Sequence, residues 1–470
     1  MPNTKGLAGM ASRRHIWLWI TGVAAATAAV FAGFQAVHAT TATFAVIVIS
    51  AIAVGAASLS SRWASDSFDD RRFLFRIFLV GYFFRLAIAL FQYFYLTPDF
   101  FAPDQNAYHL FASMGAERME AGLAPFPETA LRHRLYVIYC AYLYYLFGSD
   151  ILLPSLLNSI YGCLAAMAAY RLTAMLDTPE AGRYTALLVL FTPSHMLWSA
   201  LNLRDVPAIL SLMFAVYFMT QLKLKFSFAA VLGFVLAMLV LLGLRDYIFF
   251  LTLGSLLIGY LGVRSGRMLE FMAGGILVMS ASIFLYNAVP DGNPFARPAT
   301  LADIQTYRQG FLSDASSAFL PDADVSTPAG ALLYFPIGLA YFLLAPFPWQ
   351  WGSPRQIIAV PETLLWYSLI PATIAGFVHI ARTRLGTTLP LLILIASVTV
   401  SYAMVQGNIG TSFRHRAQVI VFLYVFSAIG LRLRRTPQPN PPVPGGHPAT
   451  SAQAMARVQG VSPTAPPAQA

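Results

Sequence analysis

The carboxylate of Asp104 is the side chain of this sequence best placed to do chemistry. It lies in a polar segment that also holds Tyr108 and directly follows a long apolar stretch. A carboxylate within hydrogen-bond reach of a hydroxyl can accept its proton as a new bond forms. The alternative role is structural, because an aspartate at the start of a helix caps free backbone N–H groups and suits the helix dipole. The two roles are compatible.

Two basic clusters are candidates for binding a phosphate. They are the segments Arg132-His133-Arg134 and Arg414-His415-Arg416. Guanidinium groups grip phosphate oxygens with forked hydrogen bonds, so either cluster suits an anionic headgroup. The competing interpretation is arginines that reach from span ends to lipid headgroups. The sequence leaves both interpretations open.

Other charged residues are secondary candidates. Arg85 falls in the middle of an apolar stretch, where a guanidinium needs a partner or a water-filled cleft. Asp99 lies five residues before Asp104 and is the candidate for a second acid. The adjacent pairs Arg204-Asp205 and Arg245-Asp246 stand at span boundaries, where we expect structural ion pairs on the side opposite Asp104.

The elements that carry these residues are membrane spans. Hydrophobic residues make up 57% of the chain and charged residues 11%, and many apolar stretches approach the ~20 residues needed to cross a bilayer. The sequence therefore predicts an all-α fold, a polytopic transmembrane helix bundle of about 12–14 spans. The fourteen predicted spans are 16–37, 41–60, 73–96, 135–147, 151–175, 184–200, 206–221, 226–244, 247–263, 271–288, 331–346, 363–380, 388–405 and 417–431.

Arginine and lysine clusters predict the orientation. They precede the first span, follow the second and follow the last, so the positive-inside rule makes all three regions cytoplasmic. The loop 97–134 is then extracytoplasmic, and Ala107, Leu110, Phe111 and Met114 recur within it at the spacing of an interfacial amphipathic helix. The side of loop 289–330 stays open, since one miscounted span would reverse it.

The chain divides into five regions. Residues 1–72 form two spans and a cytoplasmic connector, and residues 73–288 form a membrane core that contains loop 97–134. A polar loop at 289–330 and C-terminal spans at 331–432 follow. The tail 433–470 is rich in Pro and Ala, which predicts disorder.

Composition also limits the function. The net charge of +10 comes from arginines scattered at span ends, so we expect no nucleic-acid partner. Cys140 and Cys163 both fall in apolar spans, which does not support a disulfide or metal framework. A phosphate site at the membrane surface can use Mg²⁺ or Mn²⁺, but two arginine clusters can supply the same charge. The sequence therefore predicts no cofactor and no metal ligands.

The order of these elements resembles the GT-C superfamily of membrane glycosyltransferases. Asp104 and Tyr108 match the first-loop motif, and an interfacial helix and a dense helix bundle follow. The resemblance covers about residues 73–290 and is closest to the family 39 group of dolichyl-phosphate-mannose-mannosyltransferase-like and aminoarabinose-transferase-like proteins. Further matching segments are Leu146-Phe147-Gly148, Asn158, Gly162 and Phe191-Thr192-Pro193.

The resemblance implies a bacterial inner-membrane enzyme with its active face in the periplasm. It implies an inverting transfer of a sugar from a polyprenyl-phosphate donor to a lipid or polysaccharide acceptor, with Asp104 as general base. Arg132, Arg134, Arg414 and His415 would stabilise the departing phosphate, and we place Tyr108, His133 and Arg416 in the same binding region. This chain departs from the family pattern where some relatives carry a second acid, because Gln105 occupies that position, and it has two additional spans before the core.

Two other functions fit the same sequence. An O-antigen-type polymerase or ligase would depend on regions 289–330 and 410–416 rather than on Asp104. A non-catalytic flippase or transporter of a lipid-linked glycan would need Arg85, Arg204 and Arg245 to line a cavity. The sequence does not identify the sugar, the acceptor, the metal dependence or the oligomeric state.

Overall fold

The computed structural model describes residues 40–126, 134–262, 300–312, 317–351 and 354–435. Within these ranges the chain is α-helical, and its one β-type pairing is an isolated bridge between Ala318 and Asn408. The helices are α1 (Thr40–Ala64), α2 (Phe68–Tyr95), α3 (Asp104–Glu120), α4 (Arg134–Phe147), α5 (Leu152–Leu176), α6 (Pro179–Phe191), α7 (Pro193–Ser199), α8 (Asp205–Leu224), α9 (Phe228–Leu244), α10 (Asp246–Gly262), α11 (Leu301–Leu312), α12 (Pro328–Leu344), α13 (Pro354–Thr383), α14 (Leu385–Val405) and α15 (Ile409–Arg435).

Seven of these helices, α1, α2, α5, α8, α13, α14 and α15, are long and apolar enough to cross a membrane. This confirms the expectation of a polytopic, membrane-embedded helical bundle. Helices α4, α9, α10 and α12 are apolar but shorter. The predicted spans 16–37 and 271–288 and the tail beyond residue 435 lie outside the described residues.

Contacts between helix ends define two ends of the bundle. At one end, the Tyr93 hydroxyl near the end of α2 donates to Asp150 before α5, over 3.1 Å. At the other end, Asp177 after α5 binds Arg432 of α15 and lies 3.7 Å from the His379 ring of α13. We call these the Asp104 end and the Asp177 end.

Helix α4 does not cross the bundle, although the sequence predicts a span at 135–147. Its 14 residues cover only ~21 Å at 1.5 Å per residue, against a hydrocarbon core of ~30 Å. Both of its ends contact α3: Tyr136 packs against Tyr108, and Ser149 beyond the other end hydrogen-bonds Ser113. The whole helix therefore lies at the Asp104 end, and α5, α8 and α9 run opposite to the predicted direction. Helix α15 runs as predicted, with Arg414 beside Asp104 and Arg432 beside Asp177.

The predicted span 184–200 is broken into α6 and α7 at Pro193. Proline has no N–H and ends the regular ladder of helical hydrogen bonds. Arg85 donates to the Leu190 carbonyl over 2.9 Å, and Glu362 accepts from the Ser194 N–H over 2.7 Å. These two buried charges satisfy the backbone groups that the break leaves open. Arg85 thus has partners, and they are structural ones.

Loop 289–330, whose side the sequence leaves open, lies at the Asp104 end in its described part. The Phe319 N–H donates to the Gly407 carbonyl over 2.8 Å, and the Ile409 N–H donates to the Ser317 carbonyl over 3.0 Å. Both bonds join the segment to the turn between α14 and α15.

Glycines allow α13 and α15 to approach closely. A Cβ atom added at Gly376 would overlap the Phe426 carbonyl oxygen, and one added at Gly430 would overlap the Ala372 carbonyl oxygen. Small residues at such crossings let helix backbones meet, which stabilises packing between membrane helices. This contact sets the position of α15.

Candidate functional site

Asp104 lies in a cluster of alternating acids and arginines at the Asp104 end. The Nη1 group of Arg414 donates to Asp104 Oδ2 over 2.8 Å, and its Nε group donates to Asp205 Oδ2 over 2.8 Å. The other Asp205 oxygen accepts from Arg245. We call Asp104, Arg414, Asp205 and Arg245 the acid–arginine cluster.

Four separate helix ends assemble the cluster. Asp104 is the first residue of α3, and Asp205 is the first residue of α8, where a carboxylate suits the positive end of the helix dipole. Arg245 lies in the single-residue connection between α9 and α10. Arg414 lies in the second turn of α15. The cluster therefore exists only when the core and the C-terminal helices pack together.

Exposure falls from one end of the cluster to the other. The Asp104 side chain is 49% exposed and that of Arg414 is 15% exposed, whereas Asp205 and Arg245 are 4% and 3% exposed. Asp104 is thus the carboxylate that a molecule from outside can reach. Asp205 is enclosed between two arginines and serves to hold them.

Arg204 lies beside the cluster, where its Nη1 group donates to the Leu244 carbonyl over 3.4 Å. Asp246 directly follows Arg245, so this region carries three arginines and three aspartates. The Nε–H groups of Arg204 and Arg245 are buried and donate no hydrogen bond within the part of the chain that the structure describes. Two such donors suit an anion.

Tyrosines line this region. Burial raises the pKa of Tyr108 to about 12, so that its phenol remains a neutral hydrogen-bond donor near neutral pH. Burial also raises the pKa of Tyr307 in loop 289–330, and the Phe311 ring of the same loop lies 6.0 Å from the His415 ring, next to Arg414. The loop therefore contributes to the same region as Asp104.

An apolar cavity of about 590 Å³ begins beside the cluster. Leu244, the neighbour of Arg245, lines it, as do Pro207 and the Tyr136 ring that contacts Tyr108. Leu236 and Val240 line the cavity and are also exposed on the outer surface of α9, so it opens sideways from the bundle. In a membrane that direction is hydrocarbon, and the cavity suits a lipid chain.

The structure separates the three residues of the second basic cluster. Arg414 joins Asp104. The His415 ring stacks on Tyr402 with centroids 4.7 Å apart and lies 2.8 Å from the Gln406 amide nitrogen. Arg416 is 1% exposed, donates to the Leu343 and Ala345 carbonyls and lies 3.5 Å from Glu362. Arg416 faces away from Asp104 and supports the helix packing.

The other predicted site residues take different places. Arg132 and His133 and the side chain of Arg134 lie outside the described residues. Asp99 is exposed in the turn before α3 and makes no hydrogen bond or ion pair with Asp104 or Arg414, all three of them described. Arg85 is fully buried at the break between α6 and α7, away from the cluster.

Asp205 and Arg245 are functional candidates for which the sequence predicted a structural role on the side opposite Asp104. The expectation of adjacent structural pairs on the side opposite Asp104 is wrong, because Asp205 pairs with Arg245 and both lie with Arg414. The error follows from counting α4 as a span. The sequence could have indicated these candidates through its two arginine–aspartate pairs at span ends, because charged groups are costly near a bilayer and are kept where they are needed.

Known proteins do not extend this picture. Comparison with protein-family models, with curated protein sequences and with solved structures found no match to this chain. Within the described residues, no group of three His, Cys, Asp or Glu side chains is arranged to hold a metal ion.

Proposed function

We propose that this protein is a membrane glycosyltransferase of the GT-C type. It would transfer a sugar from a polyprenyl-phosphate donor to a hydroxyl of a lipid or polysaccharide acceptor, at the Asp104 end of the bundle. One observation carries the proposal: an exposed carboxylate, hydrogen-bonded to Arg414, belongs to a charged cluster that lies beside a sideways-opening apolar cavity. We further propose that this end faces the periplasm of a bacterial inner membrane.

The donor would bind in two parts. Its polyprenyl chain would enter the apolar cavity sideways from the bilayer, and van der Waals packing rather than removal from water would hold it there. Its phosphate would lie at the head of the cavity near Arg204 and Arg245, whose buried Nε–H groups have no acceptor among the described residues and can donate to anionic oxygens. Tyr108 and Tyr307 would add neutral donors at the same place.

Asp104 would then act as the general base. Its Oδ2 atom accepts from Arg414, which leaves Oδ1 for the acceptor hydroxyl. The hydroxyl oxygen attacks the anomeric carbon from the face opposite the phosphate, the bond from that carbon to the phosphate oxygen breaks, and Asp104 takes the proton. The product is an inverted glycoside and a polyprenyl phosphate, whose developing charge the arginines stabilise.

The same geometry bears on the two alternatives. A transporter would use Arg85 to line a cavity, but Arg85 is fully buried and donates to Ser199, Gly81 and Leu190. A polymerase or ligase that depends on loop 289–330 keeps one supporting observation, because the Phe311 ring of that loop lies 6.0 Å from the His415 ring of region 410–416. In that alternative the reaction would proceed without Asp104.

The test compares wild type with Asp104→Asn, Asp104→Glu and the control Glu117→Gln, which alters an exposed acid on the same helix. Each purified protein is incubated with radiolabelled polyprenyl-phosphate sugars and a membrane-lipid extract. We expect transfer to fall by ~10²–10⁴-fold in Asp104→Asn, as for loss of a general base, and to persist in Glu117→Gln.

Full transfer in Asp104→Asn would reduce the residue to a helix cap and favour the polymerase or ligase. Binding of labelled donor without transfer by wild type would favour the transporter. In either case the proposal is wrong.

A further inference from the structure

Gln105 follows Asp104 on the first turn of α3 but points the opposite way. Asp104 is half exposed, whereas Gln105 is 1% exposed. Because consecutive residues project in different directions around a helix, the outward position of Asp104 and the inward position of Gln105 depend on the same rotation of α3.

Both halves of the Gln105 amide are used. The Nε2 group donates to the Pro98 carbonyl over 2.7 Å, and the Oε1 atom accepts from the backbone N–H of Asn202 over 3.1 Å. The first bond ties the start of α3 to the turn before it. The second ties α3 to the turn that ends in Arg204 and Asp205.

A buried hydrogen-bond network continues from this amide. The Tyr136 hydroxyl donates to Asn202 Oδ1 over 2.8 Å, and the Asn158 amide donates to the Leu201 and Leu203 carbonyls over 2.7 and 2.9 Å. Asn158 and Asn202 are fully buried. A buried network with such partners holds its members in one arrangement. The turn before Asp205 is thereby fixed relative to α3.

From this geometry we infer that Gln105 is a positioning residue for Asp104. It fixes the start of α3 against the turn that presents Arg204 and Asp205, so that Asp104 meets Arg414 at the head of the cavity. The catalytic part of this inference rests on the proposed function. The positional part rests on the hydrogen bonds alone.

The inference also explains why this chain has an amide where some GT-C relatives have a second acid. A carboxylate at this position has no N–H for the Pro98 carbonyl and would place a charge at a position that is 1% exposed. Burying an unpaired charge is costly. The second carboxylate of the site is instead Asp205, which reaches Asp104 through their shared partner Arg414.

The positional part is tested by cross-linking. Cys140 and Cys163, the two cysteines of the chain, are buried, so Asp104→Cys with Arg414→Cys introduces one reactive pair. Because Arg414→Cys also removes one partner of Asp205, each variant is first shown by gel filtration to be folded. Three proteins are treated with a short bifunctional thiol reagent. They are the double variant itself, the double variant that also carries Gln105→Met, and the double variant that also carries Asn106→Met. Gln105→Met removes donor and acceptor at similar length, and Asn106→Met is the control at the exposed neighbouring position.

We expect the yield of cross-linked product to fall several-fold with Gln105→Met and to stay unchanged with Asn106→Met. If Gln105→Met does not fold, Tyr136→Phe provides a milder variant, because it removes only the hydroxyl that binds Asn202. An unchanged yield in the folded variant overturns the inference, whatever the activity.

The catalytic part is tested by kinetics in the otherwise native chain. A displacement of the base by about 1 Å can lower the rate by about 10²-fold. We therefore expect Gln105→Met to lower kcat with little change in the KM for the polyprenyl-phosphate sugar. A rise in KM alone would overturn the positioning role. A fall in cross-linking together with no transfer by wild type would retain the positional part and reject the transferase.

Discussion

Arg245 is the residue on which the buried carboxylate of the site depends. Asp205 and Arg245 are both nearly enclosed, and the carboxylate lies between Arg245 and Arg414. Removing one partner of a buried pair leaves a charge without compensation, which costs far more than the pair contributes in net stability. The arrangement is therefore sensitive to truncation at either arginine.

We expect Arg245→Met to lower the free energy of unfolding by about 3–5 kcal/mol, because it leaves the buried Asp205 with Arg414 alone. Denaturant unfolding of the purified protein measures this. Asp66→Asn is the control, since its partner Arg71 lies 3.6 Å away in an ion pair whose aspartate is 97% exposed, and such pairs contribute about 0–1 kcal/mol. Equal effects of the two substitutions would show that Asp205 has another source of stabilisation.

At this scale the sequence predicted Asp104 and Arg414 but not what joins them. Their residue types and their place at span ends can be read from the sequence alone. The partners Asp205 and Arg245 are separated by 40 positions along the chain, and their meeting depends on which way each span runs. No local pattern carries that information.

Among the helices, α13 and α15 meet through close backbone contact. The Gly376 and Gly430 positions leave no room for a Cβ atom where α13 and α15 cross. Arg414 is carried on α15, so the same crossing sets how near it comes to Asp104. Packing 15 or more residues away from the site thus decides its geometry.

We expect Gly376→Ala to destabilise the protein by about 1–3 kcal/mol, because the added methyl group forces the two helices apart. Gly55→Ala provides the matched control, since no atom lies within 4 Å of its added Cβ and alanine is favoured over glycine in a helix by about 0.5–1 kcal/mol. Thermal unfolding in detergent compares the two. Destabilisation by Gly55→Ala alone would contradict this account of the crossing.

The positions of the helices were well predicted, but two segments predicted as single membrane spans, 135–147 and 184–200, are not. Apolar length marked most of the helices correctly, because hydrocarbon burial and internal backbone pairing impose that pattern. The segment 135–147 is as apolar as a span but too short, and Pro193 divides the stretch 184–200. Hydropathy averages over such stretches and does not detect where a helix stops.

For the whole molecule, the direction of α4 determines which loops share a side. With α4 confined to the Asp104 end, the turns at Asp99 and Ser149 lie together, and the connector at Asp66 lies at the opposite end. A crossing α4 would place Ser149 with Asp66. The two arrangements differ in the side of the membrane from which Ser149 can be labelled, which is measured on sealed vesicles.

We expect Ser149→Cys and Asp99→Cys to react with a membrane-impermeant thiol reagent from the same side of sealed vesicles. Asp66→Cys should react only from the other side. All three positions are exposed, and the native cysteines are buried. Labelling of Ser149→Cys together with Asp66→Cys would show that α4 crosses the membrane.

The dependence of the site on α15 has a consequence for biosynthesis. A ribosome releases the chain from its N-terminus, so Asp104, Asp205 and Arg245 enter the membrane well before Arg414 does. During that interval the exposed carboxylate lacks the guanidinium that it pairs with, and under the proposed function the newly made protein could not yet transfer a sugar. Activity would then appear in a single step, when α15 inserts and packs against the rest of the bundle, and incompletely synthesised chains would be inactive.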